Sequence, residues 1–130
     1  MSTVLRYAWA APATLVGVLV ALPAFATGAR ARVIDGVIEI TGGGVGRLIA
    51  ALPLRYRFCA ITFGHVVVCT DQWTAAAVRA HEHVHVHQYE RLGALFFPLY
   101  IGSSVVQLLR GRDPYFENRF EREACALADR

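Results

Sequence analysis

The chain has 130 residues, of which 55% are apolar and 18% charged, with a formal net charge of +3 and a positive mean hydropathy. The length suits one domain, but the composition is too apolar for an ordinary soluble domain of that size. Its arginines are spread along the chain and largely balanced by acids near the C-terminus, so there is no nucleic-acid footprint.

The excess apolarity lies in two segments. The first, Tyr7 to Thr27, carries no charge and is long enough to span a hydrocarbon core of about 30 Å, with Tyr7 and Trp9 at one interface. The alternative is a cleaved secretory signal, with Arg6 as its basic region, Leu15 to Leu22 as its apolar core and Ala24-Phe25-Ala26 as an A-x-A site. The run begins well before that core, which favours a retained anchor over residues 1–29 followed by a domain over residues 30–130.

The domain opens with a β-prone stretch. Arg32 to Ile40 reads as a hairpin around Asp35-Gly36, a strong turn signal between two β-branched runs. Thr41-Gly42-Gly43-Gly44 breaks the chain into a loop, and no Gly-Lys-Ser/Thr follows to make its glycines a phosphate site. Phe58 to Cys69, with Val66-Val67-Val68, reads as a further strand leading into Asp71. His65 falls within it. A strand histidine is most often structural; its functional readings are a donor to a substrate carbonyl or oxyanion and an additional metal ligand.

From Gln72 to Leu92 there is no Gly or Pro, Asp71 precedes as an N-cap and Gly93 follows as a C-cap. These flanks predict a helix, although His83-Val84-His85-Val86-His87 alternates as a strand would. Helical spacing puts Trp73, Ala77, His81, Val84, His85, Gln88 and Leu92 on one inward stripe, and His83 and His87 on the opposite surface. The stripe carries one H-E-x-x-H, read as His81, Glu82 and His85. Imidazoles four residues apart stack about 6 Å from each other on one face and can close on one Zn²⁺. The glutamate after the first histidine lies beside that ion, where Glu82 can act as general base towards a water whose pKa the metal lowers to about 7. A histidine-rich helix with no metal is the bland alternative.

The second apolar segment, Leu92 to Leu109, is uncharged and contains Gly93, Pro98, Gly102 and Ser103-Ser104. Its length is borderline for crossing a bilayer, so it fits either a buried core helix or one dipping into the membrane, with Pro98 as a kink. Beyond it, Tyr115 to Ala124 contains Glu121-Arg122-Glu123-Ala124. Either carboxylate can instead be a solvated charge pairing with Arg119 or Arg122.

The H-E-x-x-H together with this E-x-x-A resembles the gluzincin clan of zinc metallopeptidases. Within it, the chain is most similar to small bacterial membrane-associated proteins with H-E-x-x-H-V-x-Q-Y-E-R, a Pro-containing apolar stretch and N-x-F-E-x-E-A. The matching residues are His81, Glu82, His85, Val86, Gln88, Tyr89, Glu90 and Arg91, then Pro98, then Asn118, Phe120, Glu121, Glu123 and Ala124. The resemblance covers most of residues 60–125. It implies Glu121 as third zinc ligand, with Glu123 as the competitor two residues away; on a helix the two point about 200° apart. An aspartate commonly follows the alanine in larger membrane-embedded gluzincins, whereas this chain has Cys125. With Glu121 as a ligand, a single crossing by Leu92 to Leu109 is excluded, since it would leave His85 and Glu121 on opposite sides of the membrane.

Three cysteines, Cys59, Cys69 and Cys125, cannot all pair within one chain, and no C-x-x-C is present. The odd count leans towards a reducing compartment, and Arg30, Arg32, Arg47, Arg55 and Arg57 after the anchor lean towards a cytoplasmic domain. A cleaved signal would instead make the domain secreted or periplasmic. The expected fold is α+β: an N-terminal transmembrane helix, a small antiparallel sheet and a zincin-like helical pair carrying the metal site. The expected function is membrane-associated, zinc-dependent hydrolysis of peptide bonds, on a peptide or protein substrate that the sheet could bind by strand addition. The alternatives are a non-catalytic zinc-stabilised protein, with His65 or Glu123 closing a four-ligand site, and a metal-free membrane scaffold.

Overall fold

A computed structural model describes residues 2–51 and 60–129; Arg55, Arg57, Phe58 and Cys59 lie outside the described residues. The elements run α1 (Thr3–Phe25), β1 (Arg30–Ile34), β2 (Val37–Thr41), α2 (Gly43–Ala51), β3 (Ala60–Phe63), β4 (Val66–Cys69), α3 (Gln72–Leu92), a 3-10 turn (Gly93–Leu95), α4 (Phe96–Leu109) and α5 (Arg119–Ala128). The class is α+β, as expected.

The first hairpin forms as its turn residues dictate. Asp35 and Gly36 take φ of 52° and 77°, the two left-handed positions of a type I′ turn, and Ile34 faces Val37 across it. The rest of the sheet departs from the expected antiparallel arrangement. Its order is β1-β2-β4-β3, and β2 pairs with β4 in parallel, Ile38 opposite Val66 and Thr41 opposite Cys69. Val66–Cys69 is buried on both faces, which suits a central position, and the chain between β2 and β4, carrying α2 and β3, is long enough for the crossover that parallel pairing requires.

The run up to Cys69 is also two strands rather than one. Gly64, at φ 60°, turns β3 back onto β4 as an antiparallel pair. A Cβ at Gly64 would stand 2.6 Å from the Thr14 backbone nitrogen, so only glycine lets this turn pack against α1.

Alternation along the strands separates two packing faces. Val37, Val67 and Cys69 pack with Ala75 and Val86 of α3; Ile40, Val66 and Val68 pack with Ala21 and Val18 of α1. A third cluster, Ala10, Tyr89, Phe96 and Phe120, joins α1, α3, α4 and α5 beyond the sheet.

Helix α3 has the expected bounds. The Asp71 carboxylate accepts from the Thr74 N–H at 2.7 Å, and Gly93 ends it at φ 59° with Trp9 packed where a Cβ would be. Its buried stripe is shorter than expected. Trp73 is 86% exposed and Ala77 is exposed, because in the first turns Ala75 and Val78 take the sheet-facing positions. Pro98 makes no kink: α4 begins at Phe96, so the proline lies in the first turn, where a helix has no use for its missing N–H. By length and composition, α1 and the stretch Gln72–Leu109 are each apolar enough to cross a membrane.

Candidate metal centre

The middle of α3 and the first turn of α5 build the site. Asn118 caps α5, its side-chain oxygen accepting from the Phe120 N–H at 2.9 Å. Its amide donates to the Tyr100 carbonyl at 3.0 Å and to Ser104 Oγ at 2.7 Å, so α4 sets where α5 begins. Glu121 is thereby brought to α3. Its Oε2 lies 2.9 Å from His81 Nε2 and its Oε1 3.1 Å from His85 Nε2, and the candidate ligand atoms of His81, His85 and Glu121 all lie within 4.8 Å of one another. Two imidazole nitrogens and a carboxylate oxygen at this spacing could hold a metal ion, and the donor set suits zinc.

Each of the three candidate ligands has an outer partner. His85 Nδ1 is 2.8 Å from Gln88 Oε1, and Gln88, fully buried, donates in turn to the Phe120 carbonyl at 3.1 Å. Gln88 thus ties the imidazole of α3 to the backbone of α5. His81 Nδ1 faces Cys125 Sγ at 3.9 Å, so Cys125 stands beside the nitrogen that an outer-shell acceptor would orient. Tyr100 donates to Glu121 Oε1 at 2.6 Å.

Electrostatics follow from this enclosure. Burial lowers the pKa of His85, but its hydrogen bond to Glu121 and the nearby charges outweigh that and leave it above the ordinary 6.5. An acceptor oxygen lies at each ring nitrogen, Gln88 Oε1 at Nδ1 and Glu121 Oε1 at Nε2, which favours the protonated ring. Burial raises Glu121, yet the hydrogen bonds from His81 and His85 hold it far below the usual carboxylate range. Tyr115, at the same site, is pushed up by burial first and by the Glu121 charge second.

Glu82 is 8% exposed and accepts from Thr62 Oγ1 of β3 at 2.7 Å. It shares with His85 and Glu121 a cleft of about 350 Å³ whose other walls include Ile61, Phe63, Phe96, Phe97 and Tyr100. The cleft is therefore an apolar slot with the Glu82 and Glu121 carboxylates and the His85 imidazole in its wall.

The remaining candidates lie elsewhere. Glu123 projects to Arg91, 2.8 Å away. His65 sits in the β3–β4 turn, 2.9 Å from Glu90 Oε1 and stacked on Tyr7 with ring centroids 3.8 Å apart. His87 is exposed, as the helical spacing predicts, whereas His83 is half-buried, and burial lowers its pKa. Sequence reasoning passed over Gln88, Thr62, Tyr100 and Asn118 as site residues. Gln88, a polar residue one turn beyond His85 on the inward stripe, and Asn118, three residues before Glu121, both carry a signal, since each falls in the matched motifs; Thr62 and Tyr100 reach the site only through the tertiary fold.

No family model, curated protein or solved structure matches the chain.

Proposed function

We propose that this chain is a membrane-associated, zinc-dependent peptidase, with His81, His85 and Glu121 as ligands and Glu82 as general base. The observation that carries the reading is the convergence of three candidate ligand atoms, from His81, His85 and Glu121, within 4.8 Å of one another, two of these residues lining a cleft together with Glu82. When bound, zinc supplies Lewis acidity, polarising the scissile carbonyl and acidifying water. Glu82 takes the proton of the attacking water and delivers it to the leaving amine; the Thr62 hydroxyl fixes the orientation of its carboxylate. Gln88 keeps the proton of His85 on Nδ1, leaving Nε2 for the ion. Ile61, Phe63 and Phe97 favour apolar side chains beside the scissile bond. In this reading α1 is retained and holds the domain at a membrane.

A second reading has a specific observation in its favour: Glu121 is already satisfied by His81, His85 and Tyr100, so the same residues can pin α3 to α5 without metal. The two readings separate on Glu82→Gln in zinc-loaded protein assayed on apolar peptides. A peptidase loses at least about 100-fold in turnover while keeping its zinc; a variant that hydrolyses as fast as wild type removes Glu82 from the chemistry.

A further inference from the structure

We infer that α1 lies in the plane of a phospholipid bilayer, its bulky face and the projecting α4 seated in one leaflet, rather than crossing the membrane as an anchor. This goes beyond the peptidase reading and does not depend on it.

The packing of α1 is inverted relative to a helix bathed in water. Ala10, Gly17, Ala21 and Ala24 are buried against the domain, whereas Leu15, Leu19 and Leu22 point outward at 59, 57 and 52% exposure. Small residues inward and large apolar ones outward are what a helix shows when its outer surroundings are lipid. Tyr7 to Thr27 contains no charge that could face water instead.

Orientation follows from how far the contact runs. Near one end, Tyr7 OH donates to the Gly36 carbonyl at 2.8 Å and Trp9 Nε1 to the Arg91 carbonyl at 3.3 Å. In the middle, Thr14 Oγ1 accepts from the His65 N–H at 3.0 Å, and a Cβ on Gly17 would stand 2.7 Å from Phe63 Cβ. At the other end Ala21 packs with Ile40 and Val68 of the sheet, and a Cβ on Gly43 would stand 2.6 Å from the Ala24 carbonyl oxygen. The domain therefore accompanies α1 along its length. Set upright across a bilayer, α1 would carry the sheet into hydrocarbon, with exposed Arg30 and Arg32 on β1, which among the described residues pairs on one side alone. Charges and open sheet edges are excluded from that environment. Laid flat, α1 puts its outer face in the acyl boundary and leaves the sheet and α3 in water. Arg6, Arg30 and Arg32, which flank the uncharged run, then meet anionic headgroups.

Helix α4 fits the same placement. It buries Phe96 alone and exposes Phe97, Leu99, Ile101, Val105, Leu108 and Leu109. At 14 residues it is about 21 Å long, too short to cross, and the Asn118 bonds to Tyr100 and Ser104 return the chain alongside it. Phe97 belongs both to this apolar row and to the cleft wall, which puts the cleft at the membrane surface.

Spin labels at Val4→Cys, Leu15→Cys and Leu22→Cys, each in a full-length chain with Cys59, Cys69 and Cys125 changed to alanine, test the orientation by oxygen and nickel-chelate accessibility. In sealed vesicles of phosphatidylcholine and phosphatidylglycerol, all three labels should lie at one shallow depth, about 5–10 Å below the headgroups. Leu15 at the midplane with Val4 and Leu22 at opposite surfaces would overturn the inference in favour of a crossing helix. Full water accessibility would overturn it outright, and label-to-label coupling without lipid contact would assign the face to a second copy. Should the cysteine-free chain not fold, an N-terminal epitope on the native chain added to preformed vesicles decides it: cleavage by external protease is expected, and protection contradicts it.

Discussion

On one side of the sheet, α1 turns Ala10, Gly17, Ala21 and Ala24 inward and Leu15, Leu19 and Leu22 outward. On the other, α3 turns Val84 and Val86 inward and His87 and Arg91 outward. Both helices pack on β2 and β4, with Val66 and Val68 facing one and Val67 and Cys69 the other. The difference lies in what each helix presents on its far side, and hence in the solvent each requires. It also separates two jobs: α1 contributes fit and apolar surface, whereas α3 contributes His81 and His85, two of the three residues that could hold a metal ion.

The comparison can be broken most forcefully at Gly17. Gly17→Leu places a side chain where Phe63 and Val66 already approach, and should cost about 3 kcal/mol in denaturant unfolding in detergent. Zinc uptake by the folded fraction should persist, because α3 and α5 are untouched. Loss of zinc with unchanged stability would reverse the assignment of roles.

On the α3 side, Gln88→Met removes the acceptor at His85 Nδ1 while filling similar space. Zinc affinity should fall about 10- to 100-fold with little change in secondary structure. An unchanged affinity would mean that packing alone orients the imidazole. Since the His85 pKa is held above its ordinary 6.5, protons compete for Nε2 from above that pH, and zinc affinity should drop about tenfold per unit as pH falls through that region.

The smallest effect is expected where the two sides meet. Glu90 of α3 accepts from His65 and His87 and lies 3.5 Å from Arg6 of α1. Burial raises its carboxyl, and the hydrogen bonds from His65 and His87 more than offset this, leaving the pKa below the ordinary 4.5. The depressed value means stability that is fully present above pH 4.5 and lost as pH falls through the folded-state pKa. Glu90→Gln should therefore cost about 1 kcal/mol at neutral pH, with the gap to wild type closing in acid. A gap that stays constant into acid would show that the carboxylate charge contributes nothing.

Local signals were legible in the sequence where a residue dictates its own backbone. Asp35-Gly36 announced a type I′ hairpin, and Asp71 with Gly93 bracketed α3. The apolar N-terminal helix and the α3 spacing that aligns His81 with His85 were equally readable, because both depend on contiguous residues. What long-range packing decides was not. The parallel pairing of β2 with β4 depends on a crossover, and the β3–β4 turn rests on one glycine fitted against Thr14. The stripe through Trp73 failed because α3 turns different residues to the sheet in its first turns. Gln88, Tyr100 and Thr62 reach the site from a helix, a projecting helix and an edge strand, a convergence that no spacing along the chain encodes.

Zinc per chain in protein purified in mild detergent, for wild type, His85→Ala and Glu121→Ala, tests the central claim most directly. One equivalent in the wild type, lost in both variants, is the predicted result. A wild type that takes up no zinc after reconstitution would contradict it and leave the cluster as a metal-free clasp between α3 and α5.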